Sequence, residues 1–286
     1  MFTRALVGID LSPAEKSLLS CLPDLSRWGI ESVVLAHVIQ VGYALGAGFG
    51  HEDEYREWLE ERAAPLRDAG LEVAVSVRAS GVPAEELLAV ARAQNADIVV
   101  VGSRSHNFLY EIFLGSVAKE VIRKSDIPVL IERLEPTQSG DAETCAAICS
   151  RALERILLAT DLSAQSRSAE DAAVRLAANA GHIDCLTVLP DDATDDDRKA
   201  VQSRHQELIR RVKDAGGNVG SRIERGKPSD AIARAGQDGY SLIVVGKHGQ
   251  NWIESKTIGS TAARVCEIAR LSVLMVPVCT ENLIRI

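Results

Sequence analysis

No stretch of this sequence approaches the roughly 18 consecutive apolar residues that suggest a membrane span, so the chain reads as soluble, with no membrane partner. No secretory leader is expected either. Met1-Phe-Thr-Arg-Ala-Leu-Val runs straight into a strand pattern, without an apolar stretch or a small-residue cleavage site, and cytoplasmic residence is the default expectation. Basic residues are in deficit: 32 Lys and Arg stand against 40 Asp and Glu, a net charge of -8. With a pI near 5.4 this argues against general nucleic-acid binding, which needs a basic face, and leaves open a free nucleotide in a small pocket. The six cysteines, Cys21, Cys145, Cys149, Cys185, Cys266 and Cys279, form neither a paired framework nor a Cys-x-x-Cys site. They are expected to be reduced and packed as small apolar side chains; redox sensing by Cys145 and Cys149, which would share one helix face, is the alternative.

A P-loop is missing too. Gly-x4-Gly-Lys-[Ser/Thr] fails at both Gly-Lys pairs, where Ser241 and Ser221 hold the first glycine's place and His248 and Pro228 follow the lysine. No Ser-Gly-Gly-x-Asp-Ser stretch follows the first strand, which speaks against ATP pyrophosphatase chemistry. What the chain does contain is ordinary globular composition, 46% hydrophobic and 25% charged, over 286 residues, enough for two domains at roughly 150 residues each.

The organising stretch is Leu242 to Val265. An apolar run, Leu242 to Val245, ends in Gly246-Lys-His-Gly249; nine residues later Gly259-Ser260-Thr261 opens a helical pattern. Strand, glycine loop and helix start suit an anion, because glycines admit close backbone approach and free N–H groups at a helix start face negative charge. The same spacing occurs at Gly102-Ser-Arg104-Ser105 and Gly115-Ser116-Val117, with Gly102 and Gly115 each 144 residues before its counterpart. The chain is therefore two copies of one unit.

In the first copy, Arg4 to Asp10 is a buried strand ending in a carboxylate. Ser12, Pro13 and Glu15 read as N-cap, first helical position and capping box, with Leu18, Leu19, Leu22 and Leu25 as the buried face. Ser32 to Ile39 is the second strand, carrying His37-Val38. Val41 to Gly50 has four glycines but fits no phosphate-cradle pattern and reads as a connection. A helix around Tyr55 to Leu66, a strand from Leu71, a helix after Gly81-Val82-Pro83, a strand Asp97 to Gly102, a helix from Gly115-Ser116 and a strand Ile127 to Ile131 complete the unit. Glu135 to Asp141 is the expected boundary and Ala142 to Glu154 a short linking helix, giving domains 1–134 and 154–286 with a linker at 135–153. In the second copy Thr160-Asp161 ends the first strand, Thr187-Val188 replaces His37-Val38, and Gly226-Lys227-Pro228 repeats Gly81-Val82-Pro83. The aspartates from Asp191 to Asp197 read as the acidic start of a helix through Lys213 rather than as a metal site.

Strands alternating with helices, with polar and glycine signals at the strand C-termini, call for an α/β doubly wound parallel sheet in each unit. The strand-Gly-x-x-Gly-x9-Gly-Ser pattern resembles the nucleotide-binding branch of the universal stress protein family. Two such units look like a tandem universal stress protein. The resemblance implies two five-stranded Rossmann-like sheets of strand order 3-2-1-4-5, paired within the chain as a pseudo-dimer through their fifth strands, with a further homodimer as an option. It implies a site for ATP or another adenine nucleotide, ADP or AMP, with Mg2+ as an optional companion. In the second unit Thr160, Asp161 and Val188 would lie by the adenosine, while Gly246, Gly249, Gly259, Ser260 and Thr261 would hold phosphate. Lys247 and His248 would add charge as exposed loop residues. In the first unit the counterparts are Asp10, Val38, Gly102, Arg104, Ser105, Gly115, Ser116 and Val117, and Ser105 in place of the second glycine puts that site in doubt. No nucleophile–base pair stands at a spacing that argues for covalent catalysis, so binding with a regulatory or stress-tolerance role, toward an unidentified protein partner, outranks an enzyme. A slow ATPase or phosphotransferase and a nucleotide-free interaction module are the rivals.

Overall fold

The computed structural model describes residues 2–11, 15–40, 51–106, 111–134, 151–250 and 258–278, with 104–106, 111–113 and 134 by backbone alone. The chain separates into two compact units, Met1–Ser150 and Arg151–Ile286.

The first unit runs β1 (Arg4–Gly8), α1 (Glu15–Cys21), a 3-10 helix (Leu22–Trp28), β2 (Ser32–Gln40), α2 (Glu52–Asp68), β3 (Glu72–Ser80), α3 (Pro83–Ala93), β4 (Ile98–His106), β5 (Glu111–Phe113), α4 (Ser116–Lys124) and β6 (Val129–Leu134). Its parallel strands stand in the order β3-β2-β1-β4-β6. Ala5, Leu6 and Val7 at the centre are fully buried, as a strand covered on both faces requires. The second unit runs β7 (Arg155–Ala159), α5 (Arg167–Leu176), β8 (His182–Leu189), α6 (Asp195–Asp214), β9 (Val219–Arg225), α7 (Pro228–Ala235), β10 (Leu242–Gly246), α8 (Ser260–Ile268) and β11 (Ser272–Val276). Its order is β9-β8-β7-β10-β11, again parallel throughout. Both units have the expected 3-2-1-4-5 order, which places the topological switch, and so the natural ligand crevice, at the C-terminal ends of β1 and β4 and of β7 and β10.

Three sequence expectations need correction. The first helix does not run on through Leu25: Pro23, which has no N–H to donate, sits in the first turn of a separate 3-10 helix that Gly29 ends in a left-handed conformation at φ 89°. The first unit also gains an antiparallel strand, because β4 continues past Gly102 to His106 and folds back onto β5. Finally, the cysteines are not all reduced. Cys185 and Cys266 are free and buried, but Cys21 is disulfide-bonded. Burial pushes the Cys185 thiol up to about 12, so it packs as a neutral group.

The aspartate run behaves as expected. Thr194 caps α6, its hydroxyl accepting from the Asp197 N–H at 3.2 Å while the Asp197 carboxylate accepts from the Thr194 N–H at 2.8 Å. Hydrogen bonds from the Thr194 side chain and backbone hold the Asp197 carboxyl below the usual range. The expectations for Ser12-Pro13, Val41–Gly50, the boundary at 135–141, most of the linking helix, Cys145, Cys149 and Cys279 lie outside the described residues.

Candidate functional site

At the C-terminal end of the second unit's sheet a cleft of about 660 Å³ opens between β7, β8, β10 and the start of α8. That volume is in the range of small-ligand sites, roughly 300–1,000 Å³. All ten second-unit candidates line it: Thr160 and Asp161 after β7, Val188 on β8, Gly246, Lys247, His248 and Gly249 at the end of β10, and Gly259, Ser260 and Thr261 at the start of α8. Val201, Pro228 and Ile232 supply an apolar wall.

The glycines are where they are for steric reasons. After Gly246 the chain leaves the sheet, the Lys247 N–H donating to the Val276 carbonyl at 2.7 Å and the Lys247 carbonyl accepting from the Gly259 N–H at 2.9 Å. A Cβ at Gly259 would stand 3.2 Å from that same carbonyl oxygen. At Gly249 a Cβ would lie 2.5 Å from Asp161 Oδ2, closer than real side chains come. The reason is that Asp161 fastens two loops. Its carboxylate accepts from the Ser163 N–H at 3.0 Å and the Gln250 N–H at 2.9 Å, and its carbonyl accepts from the Gln250 side chain at 3.2 Å. The cleft also takes in the start of α8, which begins after Gly259 with no side-chain cap and no acidic residue in its first turn. Its first-turn N–H groups and the Ser260 and Thr261 hydroxyls make an anion-accepting end.

Beneath the cleft lies a polar floor. Thr160 Oγ1 accepts from the Leu162 N–H at 2.9 Å, donates to Glu170 Oε1 at 2.8 Å and lies 3.0 Å from Ser166 Oγ. Glu170 is buried, and Arg211 at 3.4 Å and Arg167 at 3.6 Å balance its charge. Thr187 donates to the Thr160 carbonyl at 2.8 Å and contacts His205 Nε2 at 2.9 Å; His205 Nδ1 meets Ser221 Oγ at 2.7 Å. Burial pushes the His205 imidazole pKa down, so the ring is neutral.

Two placements differ from the sequence reading. Lys247 is no exposed loop residue but only 4% exposed, its stem packed into the cleft wall. The first unit's Gly102-to-Ser105 segment is not a loop. Gly102, Ser103 and Arg104 pair with Glu132, Arg133 and Leu134 of β6, and Arg104 and Ser105 pair with Phe113 and Ile112 of β5. Backbone groups that face a cleft in the second unit are spent on ladder hydrogen bonds here, and Ser105 has ordinary extended geometry. The remaining candidates keep their topological places: Asp10 after β1, Val38 on β2, and Gly115, Ser116 and Val117 at the start of α4. Ser166, Gln250 and His205 went unnoticed in the sequence. His205 had a signal: it stands 11 residues before Gly216, as the apolar Leu59 stands 11 before Gly70.

Among the described residues no group of three or more His, Cys, Asp or Glu is placed to hold a metal ion, and no helix is long and apolar enough to cross a membrane.

Comparison with known proteins agrees with this architecture. The model of the Universal stress protein family matches twice, over residues 1–133 and 152–277. Universal stress protein MJ0577 of Methanocaldococcus jannaschii is 30% identical over 154 residues, 46% of this chain and 94% of that protein. Universal stress protein Rv2005c of Mycobacterium tuberculosis is 33% identical over 134 residues, 45% of this chain and 44% of that protein. Among solved structures, a universal stress protein from Archaeoglobus fulgidus superposes with a TM-score of 0.74 over 96% of this chain and 98% of its own, at 23% identity, a likeness of fold. With two family domains that together span most of its length, the chain belongs to the universal stress protein family as a tandem member.

Proposed function

We propose that the second unit's cleft binds ATP or another adenine nucleotide, and that the bound nucleotide tunes partner binding or stress tolerance rather than being turned over. One observation carries this reading: ten residues singled out by the glycine motif and by the family resemblance, from four separate segments, converge on a single cleft that holds both apolar side chains and the N-terminus of a helix with no side-chain cap. Val188, Val201 and Ile232 suit a purine ring, and Ser260, Thr261 and Lys247 suit phosphates, with Gly259, whose N–H is spent on the Lys247 carbonyl, leaving room for them. The first unit is proposed not to share this role, since its glycine segment is consumed by β4.

The test is the nucleotide content of protein purified without added ligand, released by denaturation and identified by chromatography. The same preparation carrying Gly246→Val and Gly259→Val serves as the comparison. About one equivalent of adenine nucleotide, lost in the variant, is expected. About two equivalents would show that the first unit also binds. No nucleotide, with no rise in melting temperature at millimolar ATP, sinks the reading, because a ligand that binds only the native state must stabilise it.

A further inference from the structure

The two units solve one problem with different residues. At the end of the first strand of each unit a buried backbone carbonyl, Ile9 in the first and Thr160 in the second, stands just before the aspartate and needs a donor. In the first unit His37, on β2, gives it directly, with Nδ1 2.9 Å from the Ile9 oxygen. In the second unit the corresponding strand residue is Thr187, whose hydroxyl is 2.8 Å from the Thr160 oxygen. The imidazole has moved to α6. His205, fully buried, replaces the equally buried Leu59 and reaches Thr187.

Hydrogen-bond accounting orders this chain. The Thr187 hydroxyl has one proton and spends it on the Thr160 carbonyl, so toward His205 it can only accept. His205 is therefore the Nε2–H tautomer, its Nδ1 accepting from the Ser221 hydroxyl. A run of donors thus passes from β9 through α6 and β8 to the carbonyl of Thr160. The turn at its end is strained: Leu162 has φ 60°, rare for a residue with a branched, bulky side chain. The same turn is pinned by the Leu162 N–H on Thr160 Oγ1 at 2.9 Å and by Arg204 on the Leu162 carbonyl at 2.5 Å. It presents Asp161, which in turn fastens Gln250.

We propose that His205 is a positioning residue for the second unit's cleft: by donating to Thr187 it fixes the hydroxyl that holds the Thr160 carbonyl, and so keeps the strained Asp161–Leu162 turn in the conformation that takes a nucleotide. The ligand clause rests on the proposed function above; the positioning clause does not.

The experiment compares the full chain with His205→Leu, which copies the first unit's apolar residue, and His205→Gln, whose side-chain amide keeps a donor where Nε2–H stood. Amide hydrogen exchange at Leu162, Ser163 and Gln250 is measured without ligand, ATP affinity is measured by calorimetry, and melting temperatures are recorded alongside. Loss of one hydrogen bond predicts exchange about fivefold faster and affinity about fivefold weaker in His205→Leu, with both within about twofold of the unaltered protein in His205→Gln. Equal exchange in all three proteins overturns the proposal, and so does a His205→Gln protein as perturbed as His205→Leu. Equal ATP affinity in all three, with altered exchange, overturns the ligand clause. Failure of the unaltered protein to bind ATP sinks the nucleotide reading, and the exchange comparison then decides for or against His205.

Discussion

Single residues in this protein are constrained by what stands opposite them in space. Gly249 is the sharpest case, since any Cβ there meets Asp161 Oδ2 at 2.5 Å. Gly249→Ala must therefore displace either the Asp161 carboxylate or the loop and so weaken the bond between Gln250 and Asp161, costing about 1–2 kcal/mol in urea unfolding, with weaker ATP binding in the same protein. Asp184 makes a comparable demand at the other end of the sheet, accepting from Tyr240 at 2.7 Å, Arg155 at 3.0 Å and His182 at 3.2 Å. Burial raises its carboxyl pKa, but those three donors outweigh burial and leave it below the ordinary value. A carboxylate with a depressed folded pKa contributes stability that is fully present above its unfolded value, about 3.9, and is lost as pH falls through the folded one. Unfolding midpoints measured from pH 6 to pH 3 should therefore fall in the unaltered protein and fall less steeply in Asp184→Asn, which is also weaker at neutral pH. Equal slopes would show that the network does not carry the acid sensitivity.

At the level of elements, local signals were sufficient where a segment's own residues satisfy its ends. The helix α6 is such a case, with aspartates in its first turn, Arg211 and Lys213 in its last, and a reciprocal cap between Thr194 and Asp197. Thr194→Ala removes that cap and should cost about 1 kcal/mol, read from thermal or urea unfolding; no change would mean that the aspartates alone hold the helix start. Local signals failed where pairing is decided at a distance. Gly102 to Ser105 has nearly the spacing of Gly246 to Gly249, yet the first segment is strand and the second a turn. The difference is that β5 and β6 are available to pair with the first, whereas Asp161 and Val276 draw the second into the cleft. A pattern of glycines says where the backbone is free to turn, not whether a neighbouring strand will hold it straight.

For the molecule as a whole, the repeat makes the comparison of the two units the informative experiment. If only the second unit binds, saturating ATP at about 100 times its Kd adds about 2.7 kcal/mol to the stability of that unit alone. Hydrogen exchange with and without ATP should then show slowed amides in Arg151–Ile286 and unchanged ones in Met1–Ser150. Protection in both units would restore a site at Asp10, Gly115 and Ser116.

The sequence by itself determined the two-unit organisation, the alternation of strands and helices, and ten of the residues that line the second cleft. The organisation, the alternation and the glycine elements rest on spacing and periodicity, which are properties of the chain read in order, while Thr160, Asp161 and Val188 were added by the resemblance to the family. Tertiary structure alone decided what lay between distant positions. It buried Lys247, turned the first unit's glycine segment into a strand, joined Asp161 to Gln250 across 89 residues, and brought His205 under Thr187, which stands where the first unit has His37. The physical reason is the same in each case. A buried carbonyl or carboxylate must find a donor, and sequence order does not say which distant segment the folded sheet will bring within reach.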